Sequence, residues 1–301
     1  WSFYQSHVFR QTFKTMSASK LNDLYRVAGE LSADRQHRFI VDGPYGTGSH
    51  FHRDLLPLLA ERPQLQSYAL GYHATLSTYY AEFMDHDLDS LRLFNVGALV
   101  TRSKDAHLEQ FKFSRGIGPY RVYRVDEAKT WGYFDMVWPG PTLSGPLRNL
   151  RATVRKQAPK LFGDRRVLVL NPDDPTRVPR RGHPTVSPGR VLSSKSGMTT
   201  FEADVHAETG AWLMLKINYF PFWTARVGEK PVHVHHVGPN FMAVAVPKGQ
   251  HAVIFEYKNP PAQKWAALFT FLSLIIWTGV RARRRFNVKV SAADCRRASG
   301  R

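Results

Sequence analysis

Four groups of residues in this 301-residue chain have the types and spacing that chemistry requires. The first is the glycine-rich stretch GPYGTGSHFH, residues 43–52, which comes after the β-prone run Arg38–Val41. Glycines after a strand can cradle a phosphate with backbone N–H groups, and His50, His52 and Arg53 would supply donors to a sugar or lipid phosphate. The spacing is not GxxxxGK[ST] and no Rossmann pattern surrounds it, which argues against a nucleotide; the alternative is an ordinary surface turn. The second group is His233, His235 and His236. On a strand, His233 and His235 share one face and His236 takes the other. Two histidines lack the third ligand of a usual zinc site, so no metal is assigned. His206 or His251 would complete one only if neighbouring strands align.

The third group is the turn Tyr219–Trp223, in which Tyr219 and Trp223 could stack on a sugar ring or, alternatively, plug the end of a β-sheet core. The fourth is Asp85, His86, Asp87 and Asp89, a cation site or base on one reading and a solvated helix end on the other. No G-x-S-x-G or HExxH motif occurs, and Cys295 is the sole cysteine. No residue is assigned a catalytic role.

The elements that must position these groups form an α+β pattern. Leu21, Leu24, Tyr25, Ala28 and Leu31 recur at helical spacing, and a helix is predicted over 76–93. Strands are predicted at Arg38–Val41, Gly97–Thr101, Tyr120–Val125, Tyr133–Trp138 and Arg166–Leu170, with a basic helix over about 147–162. Residues 1–170 thus read as a mixed α/β lobe and the proline-rich 171–198 as a linker. Over 199–260, Phe201, Ala203, Val205 and Ala207 alternate with polar residues, and five further short strands succeed them (211–219, 223–227, 232–237, 241–246 and 251–257). That count and spacing predict an antiparallel β-sandwich.

Trp265–Val280 then runs sixteen residues without a charge and meets Arg281, Arg283, Arg284 and Arg285. A spanning helix needs about 20 apolar residues, and snorkelling by Lys264 and Arg281 extends this run. Trp265 and Trp277 suit its two ends, and the arginine block marks a cytoplasmic flank. A transmembrane helix over 264–281 is therefore predicted, with 282–301 a basic cytoplasmic tail and residues 1–263 outside the cytoplasm. The alternative is a helix buried in a soluble core. The chain starts at Trp1 without a signal peptide, and earlier spans are expected to have carried it across.

Composition fits this topology. The formal net charge of +18 is concentrated in two blocks, 148–190 and the stretch from Arg281 onward, where eight Lys/Arg face only Asp294. Neither block interleaves aromatics as a base-stacking platform does, so the partner inferred is anionic lipid or a phosphate-bearing substrate rather than nucleic acid. The lone cysteine rules out an internal disulfide.

One layout gathers these features. The turn Tyr219-Phe220-Pro221-Phe222-Trp223 precedes the hairpin Val227-Gly228-Glu229-Lys230. Then come Val246-Pro247-Lys248-Gly249-Gln250-His251 and the exit Phe255-Glu256-Tyr257. These resemble the YYPGW-like turn, the dGk hairpin, the vpaGkH turn and the f.Y.P exit of YfhO-like bacterial membrane proteins, relatives of the GT-C glycosyltransferases. Residues 91–101 and 120–125 are similar to that family's l..lnVkYvvt and y.vYrv, so the resemblance spans roughly 37–285. Phe222 stands where the family turn usually has glycine. The resemblance implies a multi-pass protein of the bacterial cytoplasmic membrane that transfers sugars from polyprenyl-phosphate donors to cell-envelope glycans. The acidic base of such enzymes lies in an early outer loop that is not recognisable here, so catalysis would reside outside this chain. No cofactor is assigned to this chain, and a divalent cation is left open for the full protein. A non-enzymatic envelope protein binding a partner, glycan or lipid is the alternative, and a soluble enzyme using the His50/Asp85 region a third reading.

Overall fold

The computed structural model describes residues 18–33, 36–41, 88–102, 111–126, 128, 131–171, 186–197, 199–258, 269–275 and 277–278. The chain divides into two units, Trp1–Glu256 and Tyr257–Arg301.

The first described element of this unit is α1 (Ala18–Ser32), which buries Leu24, Val27, Ala28 and Leu31, one face of a 3.6-residue period. That face covers a four-stranded sheet made of β1 (Arg38–Val41), β2 (Val96–Thr101), β3 (Lys112–Ile117) and β4 (Tyr120–Arg124), in the order β1-β2-β4-β3. β1 and β2 pair in parallel and the others antiparallel. Phe39, Val41, Ala98, Val100 and Val122 meet the helix. Because strand side chains alternate, Ile40, Leu99 and Tyr123 turn to the opposite face and join a second, larger core.

A short helix, α2 (Leu88–Leu93), feeds β2. It stops at Asn95, whose left-handed backbone (φ 57°) ends the helical run. The Asn95 amide Nδ2 donates to the Gln36 carbonyl at 2.7 Å and its own carbonyl accepts from Arg38 N at 2.7 Å, so one residue ties α2 to β1.

The larger core fills a closed barrel in the order β12-β13-β9-β5-β6. Its strands are β5 (Phe134–Leu143), β6 (Arg166–Leu170), β9 (Ala211–Leu215), β12 (His235–Val237) and β13 (Phe241–Val246). β5 and β6 pair in parallel, joined by the crossover helix α3 (Leu147–Gly163), which buries Leu150, Val154, Ala158 and Phe162 at a strict four-residue spacing. The Pro139-Gly140-Pro141 segment lies inside β5, at a register shift against β6 between Pro139 and Thr142. Proline cannot donate to a ladder, and a bulge accommodates it. A Cβ on Gly140 would sit 2.6 Å from the Val167 carbonyl oxygen, so the close approach of the two strands requires glycine.

The remaining strands form an antiparallel five-stranded sheet, β11-β10-β14-β8-β7. They are β7 (Arg190–Ser196), β8 (Thr200–Ala207), β10 (Trp223–Val227), β11 (Lys230–Val232) and β14 (Gly249–Tyr257). Its apolar face meets the outside of β5: Tyr133 packs on Phe201 and Phe134 on Phe255, at ring-centroid distances of 6.0 and 6.1 Å.

The α+β class is therefore observed, with two corrections of detail. The segment 199–260 is not a sandwich by itself, because β9, β12 and β13 complete their hydrogen bonding with β5 and β6 from the earlier part of the chain. The strand predicted over 232–237 is two strands, since the chain leaves the sheet after Val232 and enters the barrel at His235. Residues 172–185 of the predicted linker lie outside the described residues, and its last part forms β7.

In the second unit, residues 269–275 and 277–278 are helical. Phe269, Phe271, Leu272, Leu274, Ile275 and Trp277 are exposed there. Among the described residues no helix is long and apolar enough to cross a membrane. The rest of the predicted span and the basic tail lie outside the described residues.

Two glycine substitutions separate the packing constraint from the entropic one. Gly140→Ala should cost about 1–3 kcal/mol, the range for overpacking. Gly29→Ala, in α1 with nothing within 4 Å of the added Cβ, should stabilise by about 0.5–1 kcal/mol. Chemical-denaturation midpoints of the two variants check both signs.

Candidate functional site

Two constellations of polar side chains lie in the first unit. The first is buried where α2, β1, β5 and β9 meet. Trp212 and Met214 of β9 point into the barrel core, and the two-residue period carries Lys216, one step past the strand, to the same side. Lys216 is fully buried. Its Nζ lies 2.7 Å from Asp135 Oδ2, donates to the Arg92 carbonyl at 2.8 Å and stands 5.2 Å from the centre of the Phe162 ring. Arg92 approaches the other oxygen of Asp135 at 3.2 Å and also lies over Phe162. Arg38, buried beside them, donates to the Phe94 carbonyl at 2.6 Å and to the Lys216 carbonyl, with Tyr133 under its guanidinium. Burial lowers the Lys216 ammonium below its ordinary value, with Asp135 opposing the shift, and burial likewise lowers Arg38. Two cations, Lys216 and Arg92, thus share one carboxylate, with Arg38 buried beside them. Asp135 is engaged on both oxygens and Arg38 spends its donors on main-chain carbonyls, so the cluster works as a fastener between layers. A lysine at the end of the apolar run AWLML was the one signal of it in the sequence.

The second constellation surrounds the turn after β9. Tyr219 N donates to the Asn240 carbonyl at 2.7 Å, and the Tyr219 ring stacks on His236 at 4.5 Å and 12°. His236 Nε2 lies 2.9 Å from Asn240 Oδ1, an atom that can only accept, so the imidazole donates. Burial depresses the His236 pKa to about 4, with the hydrogen bond to Asn240 partly opposing. On the other face, His235 stacks on Trp212 at 4.3 Å and His233 meets its edge at 4.6 Å. The histidines are thus partners of aromatic rings. Among the described residues no group of His, Cys, Asp or Glu is arranged to hold a metal ion. His206 lies near Glu208 and His251 near the Lys248 carbonyl; β8 and β14 pair there with His206 opposite Gln250 and His251 opposite Val205, so the two imidazoles fall on opposite faces of the sheet.

The two aromatics predicted to contact substrate have different fates. Tyr219 is half-buried against His236, while Trp223 is buried with its ring 5.9 Å from Phe201, within the sheet core. The exposed rings of the turn are Phe220 and Phe222, at 46% and 39%. Phe222 occupies its turn without a left-handed backbone, so glycine is not required there. His50, His52 and Arg53, with the glycine-rich stretch, lie outside the described residues, as do Asp85, His86 and Asp87. Asp89 begins α2, with its carboxylate beside Gly163 at the end of α3.

Comparison with known proteins gives one family. Residues 190–268 match the family model described as bacterial membrane protein YfhO. The match takes in β7 to β14 and continues to the edge of the apolar helix. No curated protein and no solved structure matches the chain.

Removing the Lys216 charge leaves its carboxylate short of a partner and opens a cavity beside Phe162. Lys216→Ala should cost about 3–5 kcal/mol, and Lys216→Met, which refills the volume, distinctly less; denaturant titration of the two variants measures the difference. For His236, the folded pKa of about 4 lies below the ordinary 6.5, so the folded state holds the neutral ring. Its contribution is complete above pH 6.5 and is lost as pH falls toward about 4, a few kcal/mol in all. Wild type should therefore lose more stability than His236→Gln between pH 7 and 4.5, seen as a larger drop in unfolding midpoint.

Proposed function

We propose that this chain is the extracytoplasmic part of a multi-pass bacterial membrane protein that serves sugar transfer from polyprenyl-phosphate donors to envelope glycans. The observation that carries the reading is the continuity between the YfhO-matched segment and the apolar helix next to it in the chain. The match ends at residue 268, inside the charge-free run Trp265–Val280, and the helical residues after it expose a row of apolar side chains. Lipid is the natural cover for exposed apolar side chains in such number. On this reading residues 1–263 lie outside the cytoplasmic membrane, the apolar run spans it, and the arginine-rich tail is cytoplasmic.

The first unit is then an outer lobe. Its partners would be lipid, the lipid-linked sugar and the growing glycan, and the reacting groups would lie elsewhere in the full protein. A second reading, a non-enzymatic envelope protein binding a partner, glycan or lipid, draws support from the buried charge cluster, whose Asp135 already holds two cations and offers no free base.

One pair of measurements separates these readings. A reporter active only outside the cytoplasm should be silent when fused after Arg301 and active when inserted at Gly228–Glu229. In a deletion strain, one envelope glycan should fall and its lipid-linked sugar precursor accumulate. Correct topology with an unchanged glycan profile would transfer the case to the non-enzymatic reading.

A further inference from the structure

Strand register brings Lys216 and Asp135 within reach of a covalent bond. β5 and β9 pair with Asp135 opposite Met214. Lys216 is therefore the diagonal neighbour of Asp135 on the same face, a separation that a long side chain spans. Lys216 N donates to the Tyr133 carbonyl at 2.8 Å, which carries the ladder one step past the end of β9 and holds that diagonal in place. The contact of 2.7 Å between Nζ and Oδ2 puts the carboxyl carbon about 3–3.5 Å from the nitrogen, the near-attack range. The Lys216 side chain is fully buried while that of Asp135 keeps 20% exposure, so bulk water is kept from the amine and a released water has a way out.

The surroundings suit the product better than the ion pair. An ammonium held away from water carries a desolvation cost, and burial lowers the Lys216 pKa, with Asp135 opposing. Turning the pair into an amide removes both charges and that cost with them. Between separate molecules in water the reverse reaction wins. Two groups already positioned inside a fold act on each other at effective concentrations on the order of 10⁵–10⁸ M. Arg92 Nη2 lies 3.2 Å from Asp135 Oδ1, the oxygen that would stay as the amide carbonyl. The Arg92 carbonyl accepts from Nζ at 2.8 Å, where the amide N–H would be. One residue thus grips both ends of the prospective amide, and the Phe162 ring, 5.2 Å from Nζ, gives it an apolar side.

We propose that Lys216 and Asp135 condense to an intramolecular isopeptide bond that staples β9 to β5. A proton crosses the Nζ–Oδ2 contact, leaving a neutral amine and a neutral acid. The amine lone pair attacks the Asp135 carboxyl carbon and the C–N bond forms, while the charge that develops on Oδ1 is met by the Arg92 guanidinium. A second proton passes from nitrogen to Oδ2, the C–Oδ2 bond breaks, and water leaves. Of the three ammonium protons, two depart in that water and one stays as the amide N–H. Ammonium and carboxylate thus give amide and water, with no change of oxidation state and no co-reactant. The bond joins a strand that precedes the proline-rich stretch to one that comes after it, so the two parts of the barrel can no longer separate. The first unit has no cysteine with which to make such a staple. The bond depends on the geometry of the first unit alone and not on the membrane reading.

The purified full chain, its folded state checked by circular dichroism, is weighed by intact-mass spectrometry when fresh and after a week of storage, then denatured and digested with trypsin. Most molecules should weigh one water less than their sequence. Trypsin should leave the chain uncut after Lys216 and yield a branched peptide that joins residues 130–148 to residues 196–226. Lys216→Met should have its full sequence mass. Full sequence mass in the folded wild type at both times, with ordinary cleavage after Lys216, would overturn the proposal and leave a salt bridge. Loss of water without the branched peptide, or a loss that persists in Lys216→Met, would assign the dehydration to other residues and overturn it as well. The wild-type mass and branched peptide decide the matter by themselves if the variant fails to fold.

Discussion

A single lysine buried beside one carboxylate holds the layers of this protein in register. Lys216 leaves the end of β9, meets Asp135 on the neighbouring β5 and reaches the carbonyl of Arg92 at the end of α2. Arg38 closes the arrangement from β1 by donating to the Lys216 carbonyl. Taking an ammonium out of water costs several kcal/mol, and the cost is recovered only when geometry and hydrogen bonds are good. The reward for that geometry is specificity: a shift of α2 or β1 by one residue would leave a buried charge alone. The apolar contacts around it, among them Phe162 under both Lys216 and Arg92, are less particular about position.

The barrel depends on this seam because its strands come from distant parts of the chain. β5 and β6 precede the proline-rich stretch, while β9, β12 and β13 come after it. The five-stranded sheet then packs on β5 through Tyr133, Phe134, Phe201 and Phe255. A sheet braced against a barrel is a stiff platform, and the stiffness passes to the turn at 219–222 through Tyr219 on the barrel side and Trp223 on the sheet side. The histidines that suggested metal chemistry serve the same end: His236 is a neutral stacking partner for Tyr219, and His235 extends the aromatic stack on Trp212.

On the proposed reading the first unit is a structural lobe with no reacting group of its own for sugar transfer. Its buried charged groups are committed to one another and to the main chain, and the exposed features of the turn are apolar. The segment that matches the YfhO model, residues 190–268, includes the whole five-stranded sheet.

Much of the local structure was legible from the chain itself. The alternation in β8 and the apolar run of β6 each placed a strand within a residue of its observed bounds, because burial of one or both faces leaves a period of two or an unbroken apolar stretch. The helix α3 was legible for the same reason at a period near four. β3 and β7 were missed: their residues are almost all exposed, and an edge strand held by backbone hydrogen bonds leaves no mark on side-chain type. The YfhO resemblance was likewise readable, carried by short turn motifs whose spacing survives in the chain. Only the tertiary structure decided partnership. Whether Trp223 faces solvent or Phe201, whether three histidines bind a metal or stack on rings, and where a buried lysine finds its carboxylate all depend on strands brought together from far apart. Pairing across such distances is set by the fit of whole surfaces, which no local period records.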